Sequence, residues 1–380
     1  MSGLHKGPLD LEWVRTDGQA QDLYAIGKLE TAIGLFRRNI DRYPEGASSY
    51  INAAQALVDL KRYDEAASTL RQGLVHCGRD IELAERLLHI TYLQGMLPAS
   101  QAIVQEFAET YPNSIYIACA QIECLESAGM DEECKALMID QMSRNPKEFR
   151  FPLEFAYFYL KRHKPDEAEP FVIKALSLNP YSPYTWSYKG NIQLAREDFK
   201  NAIESYKFCI KFDTTKQIPD PESTIAYCMI ELKQMEEAEK ILLTQLRANS
   251  LNEATLMSLG HWHYRKNEFT KAIEFYEDVL EINEKAPIAL SNIGENLLAL
   301  GRMDEAELFF EKALAVAPEQ GSTYYGVGLL AEKRGNIEEA LSYYNRCLAY
   351  NPYQSRVKKA IENLLNMSSS FSDIEPISPD

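Results

Sequence analysis

Two histidines, His261 and His263, and three cysteines, Cys119, Cys124 and Cys134, are the first candidates for metal or nucleophile chemistry in this chain. Two residues apart on a helix, side chains diverge by roughly 200°, so His261 and His263 do not reach a common ion. The cysteines have no C-x-x-C spacing and read as small buried hydrophobes. No H-E-x-x-H and no glycine-rich phosphate loop occurs; Gly326-Val327-Gly328 falls inside a helical phrase, where glycine serves packing. Six histidines, none beside a Ser or Cys nucleophile motif, leave no triad to assemble. The residues therefore predict a protein that is not an enzyme, with no catalytic residues, no metal site and no cofactor.

Composition narrows the remaining classes. With 40 Lys+Arg against 56 Asp+Glu the net charge is −16, which opposes general nucleic-acid binding or attachment to anionic membranes, since both require a basic footprint. No apolar run approaches the roughly 18 residues that span a bilayer, so membrane insertion is not expected. The leader MSGLHKGPLDLEW lacks the apolar stretch of a secretory signal. Seven unpaired-looking cysteines suit a reducing compartment. The expected setting is cytoplasmic or nuclear.

The elements that would carry any binding residues are set by one period. The phrases ETAIGLF, DEAASTL, DEAEPFV, KNAIESY, EEAEKIL, TKAIEFY, DEAELFF and EEALSYY place Ala32, Ala66, Ala168, Ala202, Ala238, Ala272, Ala306 and Ala340 at intervals of 34 residues or multiples of it, with one interval of 36, and Ser100 and Cys134 fill the two empty slots. Ten repeats therefore cover residues 13–354. With that alanine numbered 20, position 24 is large and apolar in every repeat, from Phe36 to Tyr344. Position 8 is Ala or Gly except at Leu88 and Ile122, position 15 is often Gly (Gly27, Gly95, Gly129, Gly301, Gly335), and position 32 is often Pro. Apolar residues recur at i, i+3, i+4 and i+7, the pattern of amphipathic helices. Each repeat reads as a helical hairpin: small residues at positions 8 and 20 let the helices approach, the residue at 24 fills the space beyond them, and proline ends the second helix. One hairpin cannot bury its apolar face alone, so stacking is obligatory.

The period and the pattern [WY]-x2-LG-x2-Y…A-x3-F…P resemble tetratricopeptide repeats. Trp186 with Gly190, Ala202 and Tyr206 carries the pattern, as does Tyr324 with Gly328, Ala340, Tyr344 and Pro352. Repeats 3 and 4 depart from it through Leu88, Ser100, Ile122 and Cys134, and are expected to pack wider. The resemblance implies an all-α, right-handed superhelical solenoid of about ten hairpins. Residues 1–12 are expected to be a flexible leader, 355–367 a capping helix with Val357, Ile361, Leu364 and Leu365 on its apolar side, and 368–380 a disordered acidic Ser/Pro tail in which Ser372 and Ser378 resemble kinase acceptors. The two-residue insertion near 212–223, with Pro219 and Pro221, reads either as a bend between two halves or as a longer turn in one continuous solenoid. Pro170 is placed in the first turn of its helix.

In this family the first helix of each hairpin lines a concave groove through positions 2, 5, 6, 9 and 12. Carried onto this chain, the resemblance implies a partner-binding groove of Tyr116, Arg150, Tyr157, Tyr184, Tyr188, Asn191, Tyr227, His261, Tyr264 and Asn292, with Glu123, Leu153, Ser187, Asp220 and Glu295 at matching positions. Tyrosine offers large contact area with a polar tip at low entropic cost. The family's carboxylate clamp for Hsp70 or Hsp90 tails needs cations and asparagines at set positions. Repeats 1–3 present Asp17, Gln21, Asn52, Glu82 and Arg86 there, and repeats 8–10 present Met257, His261, Asn292, Ser322 and Gly326, so that clamp is not expected. The function expected is a non-enzymatic scaffold or adaptor holding other proteins or peptide segments. The alternative is a soluble chaperone or assembly factor for a secreted or complex-forming client. Homo-oligomerisation stays open.

Overall fold

Apolar stripes at helical spacing leave the chain one way to bury them, as helices packed in antiparallel pairs. The computed structural model describes residues 11–372 apart from residues 79, 94–96 and 319. Its described residues form 21 helices and no strand. Four hairpins lie in a first compact unit that ends at Pro146: α1 (Leu11–Ala25) with α2 (Leu29–Arg42), α3 (Ala47–Asp59) with α4 (Tyr63–His76), α5 (Ile81–Leu93) with α6 (Leu97–Thr110), and α7 (Ile115–Ser127) with α8 (Asp131–Arg144). Six lie in a second unit that starts at Lys147: α9 (Arg150–Lys161) with α10 (Pro165–Leu178), α11 (Pro183–Ala195) with α12 (Phe199–Phe212), α13 (Pro221–Glu231) with α14 (Met235–Ala248), α15 (Glu253–Arg265) with α16 (Phe269–Ile282), α17 (Pro287–Ala299) with α18 (Met303–Val316), and α19 (Gly321–Lys333) with α20 (Ile337–Tyr350). A last helix, α21 (Ser355–Ser372), follows. The protein is an all-α solenoid of stacked hairpins.

Position 15 takes a left-handed conformation in every hairpin where it is described. Gly27, Gly129, Gly301 and Gly335 have φ of 71–82°, and Lys61, His163, Glu197, Lys233 and Asn267 have φ of 56–63°. The turn requires it: the N–H of Arg302 returns to the Leu297 carbonyl at 2.9 Å and that of Gly301 to Leu298 at 3.1 Å, which closes the helix end only when the residue between has positive φ. Glycine meets this at no steric cost, and the five other residues hold it against their preference.

The position-24 ring does not lie beyond the position-8 glycine, as the sequence suggested, but directly on it. A Cβ added to Gly260, Gly294 or Gly328 would stand 2.5 Å from the ring of Tyr276, Phe310 or Tyr344. A second lock ties neighbours together: the Trp186 Nε1–H donates to the Pro180 carbonyl at 2.8 Å, and the Tyr324 hydroxyl to that of Pro318 at 2.6 Å. In both cases a position-4 ring reaches the position-32 proline of the preceding hairpin.

Several boundaries differ from the sequence reading. Helix α1 starts at Leu11, inside the expected leader, because Leu11–Ala25 follows the last proline of the leader and contains none itself. Helix α21 runs past residue 367 to Ser372, taking in part of the expected disordered tail, because its serines extend a helix already nucleated upstream. Residues 1–10 and 373–380, with Ser378, lie outside the described residues. Pro170 sits in the second turn of α10, not the first, since that helix begins at Pro165; its ring replaces the amide that would have bonded the Asp166 carbonyl. Cys134 is buried, whereas Cys119 and Cys124 are only half-buried, Cys124 because it faces the open space between α6, α7 and α8. After Pro219, α13 starts at Pro221, and the Asp213 carboxylate accepts the Gln217 and Ile218 amides at 2.9 and 2.7 Å to order the longer turn.

Helix α21 packs Val357 and Leu364, both essentially inaccessible, into a cluster with Tyr324, Ala331, Ala340, Tyr344 and Cys347. Among the described residues no helix is long and apolar enough to cross a membrane.

Candidate functional site

In the second unit the first helices of successive hairpins touch one another, α9 on α11, α13 on α15 and α17 on α19. Positions 2, 6 and 9 of each therefore fall along one face, because residues three and four apart share a side of a helix. Nine of the ten groove residues implied by the resemblance lie on these helices; Tyr116 lies on α7 of the first unit, half-buried, its hydroxyl pKa raised by burial and then by Glu85 and Glu123.

Two aromatic groups emerge. On α9 and α11, Tyr157 and Tyr188 stack with centroids 5.8 Å apart and 20° between planes, and Lys161 Nζ lies 5.8 Å from the Tyr157 centroid. Tyr157 and Tyr184 keep 40% and 39% of their surface exposed, so part of each residue faces solvent despite these contacts. The Tyr184 hydroxyl donates to Gln217 at 3.1 Å, joining this face to the longer turn. Arg150 is held by Glu148, with Nε and Nη2 at 2.8 and 3.1 Å from its two oxygens.

The second group runs across α13 and α15. Tyr227 lies 4.8 Å from the His261 ring and His261 6.1 Å from Tyr264. His261 Nε2 is 2.6 Å from Glu231. Burial pushes the Glu231 carboxyl up, but the His261 hydrogen bond and the charges of His261, Arg265 and Arg356 outweigh it and hold the group below the usual carboxylate range. Burial, then Glu231, pushes the Tyr227 hydroxyl up to about 12; Tyr264 is raised by burial and then by Glu295. His263 bonds a different carboxylate, Glu268, at 2.8 Å, so the two histidines have separate partners.

Two expected contact residues are engaged internally. Asn191 accepts the Tyr206 hydroxyl at 2.6 Å, and Asn292 hydrogen-bonds Tyr276. Both orient a buried position-24 tyrosine, while the Asn191 residue itself remains exposed.

Sequence reasoning missed Glu231, Tyr325 and Arg356. Tyr325 occupies position 5 of repeat 10 and was available to the same periodic rule. Arg356 was not: it lies on α21 and reaches Glu295, 61 residues earlier, at 3.3 Å.

Comparison with known proteins agrees with this architecture. Family profiles described as tetratricopeptide repeat match residues 18–79, 254–286 and 286–351. The chain is 20% identical over 396 residues to tetratricopeptide repeat protein 16 of Homo sapiens, covering 92% of this chain and 45% of that protein. It is 23% identical over 363 residues to tetratricopeptide repeat protein 21B of Xenopus laevis, covering 90% and 26%. Anaphase-promoting complex subunit 3 of Schizosaccharomyces pombe is 22% identical over 212 residues, covering 54% and 31%. The chain thus spans less than half the length of these relatives. A crystal structure of the APC/C hetero-tetramer Cut9–Hcn1 contains a chain of similar fold, with a TM-score of 0.50 at 14% identity over 93% of this chain and 84% of that one. The 34-residue hairpin period, the glycine–ring pairs and the matched segments at both ends together place the chain in the tetratricopeptide repeat family.

Proposed function

We propose that the chain is a non-catalytic protein-interaction scaffold that holds extended or helical partner segments on the face built from the first helices of its hairpins. The observation that carries this reading is the run of partly exposed rings on neighbouring helices, Tyr157, Tyr184 and Tyr188, continued by Tyr227, His261 and Tyr264. Aromatic side chains that remain open on a rigid scaffold bind with little further loss of rotamer freedom. Arg150, Asn191 and Asn292 border the same face, and Tyr116 occupies a matching repeat position on α7 of the first unit. Relatives named as anaphase-promoting complex subunits support a role as a standing component of an assembly. Cytoplasm or nucleus suits its free thiols.

The test is a comparative capture from native extract with the full chain and a Tyr157→Ala, Tyr188→Ala, Tyr227→Ala variant of matched helicity and melting behaviour. A scaffold acting through this face loses its partners in the variant and elutes with them in one stable complex. Partners retained equally by both proteins would place recognition elsewhere.

A further inference from the structure

The start of α21 does more than extend the last hairpin. Its guanidinium, on Arg356, reaches back onto the first-helix face. Arg356 Nη1 lies 3.3 Å from Glu295 on α17, and its Cζ stands 4.2 Å from the Tyr325 ring centroid on α19. It also acts electrostatically on Tyr227 and Tyr264 of α13 and α15. Its direct contacts thus come from two consecutive hairpins, and its charge is felt on the two before them.

The two members of the ion pair are unequal. The Glu295 side chain is 6% exposed, whereas that of Arg356 is 45% exposed. A carboxylate so buried demands a cation, because an uncompensated charge away from water is costly. The Tyr325 face beside it favours a flat, weakly hydrated guanidinium over an ammonium. The demand is thus built into the core side of the pair, while the cation comes from an open surface segment and is replaceable.

That segment is held by polar contacts. The Ser355 N–H donates to both oxygens of Glu197 at 3.2 Å, the Asn351 side-chain amide to the Ala195 carbonyl at 3.2 Å, and the Tyr353 hydroxyl to Asp166, which Arg196 also engages. The remainder of α21 is fixed apart from them, through buried Val357 and Leu364. The Arg356 side chain can therefore swing off the face by changing rotamer while buried Val357, its neighbour in the same turn, keeps the helix seated.

We propose that Glu295 and the ring of Tyr325 form an arginine-recognition pocket that Arg356 fills in cis and that an arginine-bearing protein segment occupies by displacing it. The proposal rests on the first-helix face being the partner surface, and specifies the partner's chemistry. The chain's net charge of −16 draws such a basic segment toward it.

The experiment uses the full chain as wild type, Arg356→Ala, and Arg356→Ala combined with Glu295→Gln or with Tyr325→Leu. Each is first checked for unchanged helicity and cooperative melting. The probes are N-acetylarginine amide and its neutral citrulline counterpart, titrated by ligand-observed NMR. The expected result is at least tenfold tighter arginine binding by Arg356→Ala than by wild type, no comparable gain for citrulline, and loss of that gain in both double variants. Equal affinity for wild type and Arg356→Ala, or a gain that survives Glu295→Gln or is shared by citrulline, overturns the pocket. Partner capture separates the two readings. Loss with the tyrosine variant but not with Glu295→Gln keeps the face and removes the pocket; retention in the tyrosine variant removes the face, whatever the arginine probe shows.

Discussion

Hairpins 8, 9 and 10 in the second unit and hairpins 3 and 4 in the first solve one packing problem differently. In the former, position 8 is glycine and an aromatic ring of position 24 sits on it: Tyr276 on Gly260, Phe310 on Gly294, Tyr344 on Gly328, with Phe310 also wedged against Gly326 of the next hairpin. In the latter, Leu88 and Ile122 occupy position 8, and Val104 and Met138 replace the ring. Three of the four hairpins with alanine there take an intermediate choice, Leu70, Val172 or Leu242, while the first keeps a ring, Phe36, with Ala20. Outside the first hairpin, volume is thus shared between the two positions, and neither is specified alone. Aliphatic side chains fill the joint less completely than a ring wedged between two glycines. A cavity of about 550 Å³ opens between α6, α7 and α8, bordered by Val104, Ala118, Cys124 and Leu137.

The largest break in this contrast is Phe310→Ala, which removes a ring shared by two hairpins. It should cost about 3–5 kcal/mol by denaturant unfolding, against about 2–3 kcal/mol for Met138→Ala. A reversed order would mean that the ring wedge is not the stronger joint. Adding a single methyl sharpens the comparison further. Gly294→Ala drives a Cβ to 2.5 Å from Phe310 and should destabilise by about 1–3 kcal/mol despite alanine's better helix propensity. Ala118→Val borders open space and should change stability by less than about 1 kcal/mol.

Turns provide a smaller test that runs through both units. Gly301 has φ of 79° and open space around its Cα, so Gly301→Ala should lose about 1 kcal/mol from backbone strain alone. Asn267→Gly, at φ of 62°, should stay within about 0.5 kcal/mol of neutral, since asparagine tolerates this region and glycine adds unfolded-state entropy. The smallest effect concerns acid. Glu231 titrates below its ordinary value when folded, so its contribution is complete above the usual carboxylate range and is lost as pH falls through the depressed value. Glu231→Gln should flatten the decline of melting temperature on acidification; an unchanged slope would show that the His261 contact does not couple to folding.

Much of the fold was legible because the repeat displays each packing rule ten times over. The helix pairs, the stacking and the position of the first-helix face follow from apolar spacing and from alanine, glycine and proline in register. The left-handed residue at position 15 was half visible: Gly27, Gly129, Gly301 and Gly335 announce it, whereas Lys61, His163, Glu197, Lys233 and Asn267 do not. Among the candidate contacts, Tyr157, Tyr184 and Tyr188 stand on the expected face with surface to offer. Asn191 and Asn292 stand on it too, but hold buried tyrosines, a commitment that the helical period does not reveal because the hydroxyls come from second helices, Tyr206 from the paired α12 and Tyr276 from α16 of the preceding hairpin.

The sequence alone determined that this chain forms helical hairpins, that they must stack, and that residues at matching positions share a face, because these are consequences of local periodicity and short-range turn chemistry. Only the tertiary structure decided that Arg356 meets Glu295 and Tyr325, that Tyr353 meets Asp166, and that His261 meets Glu231. Those contacts join residues 30 to 187 positions apart, and their formation depends on how much each hairpin rotates against the next. That rotation is set by the summed volumes of side chains at every joint, and no single repeat encodes it.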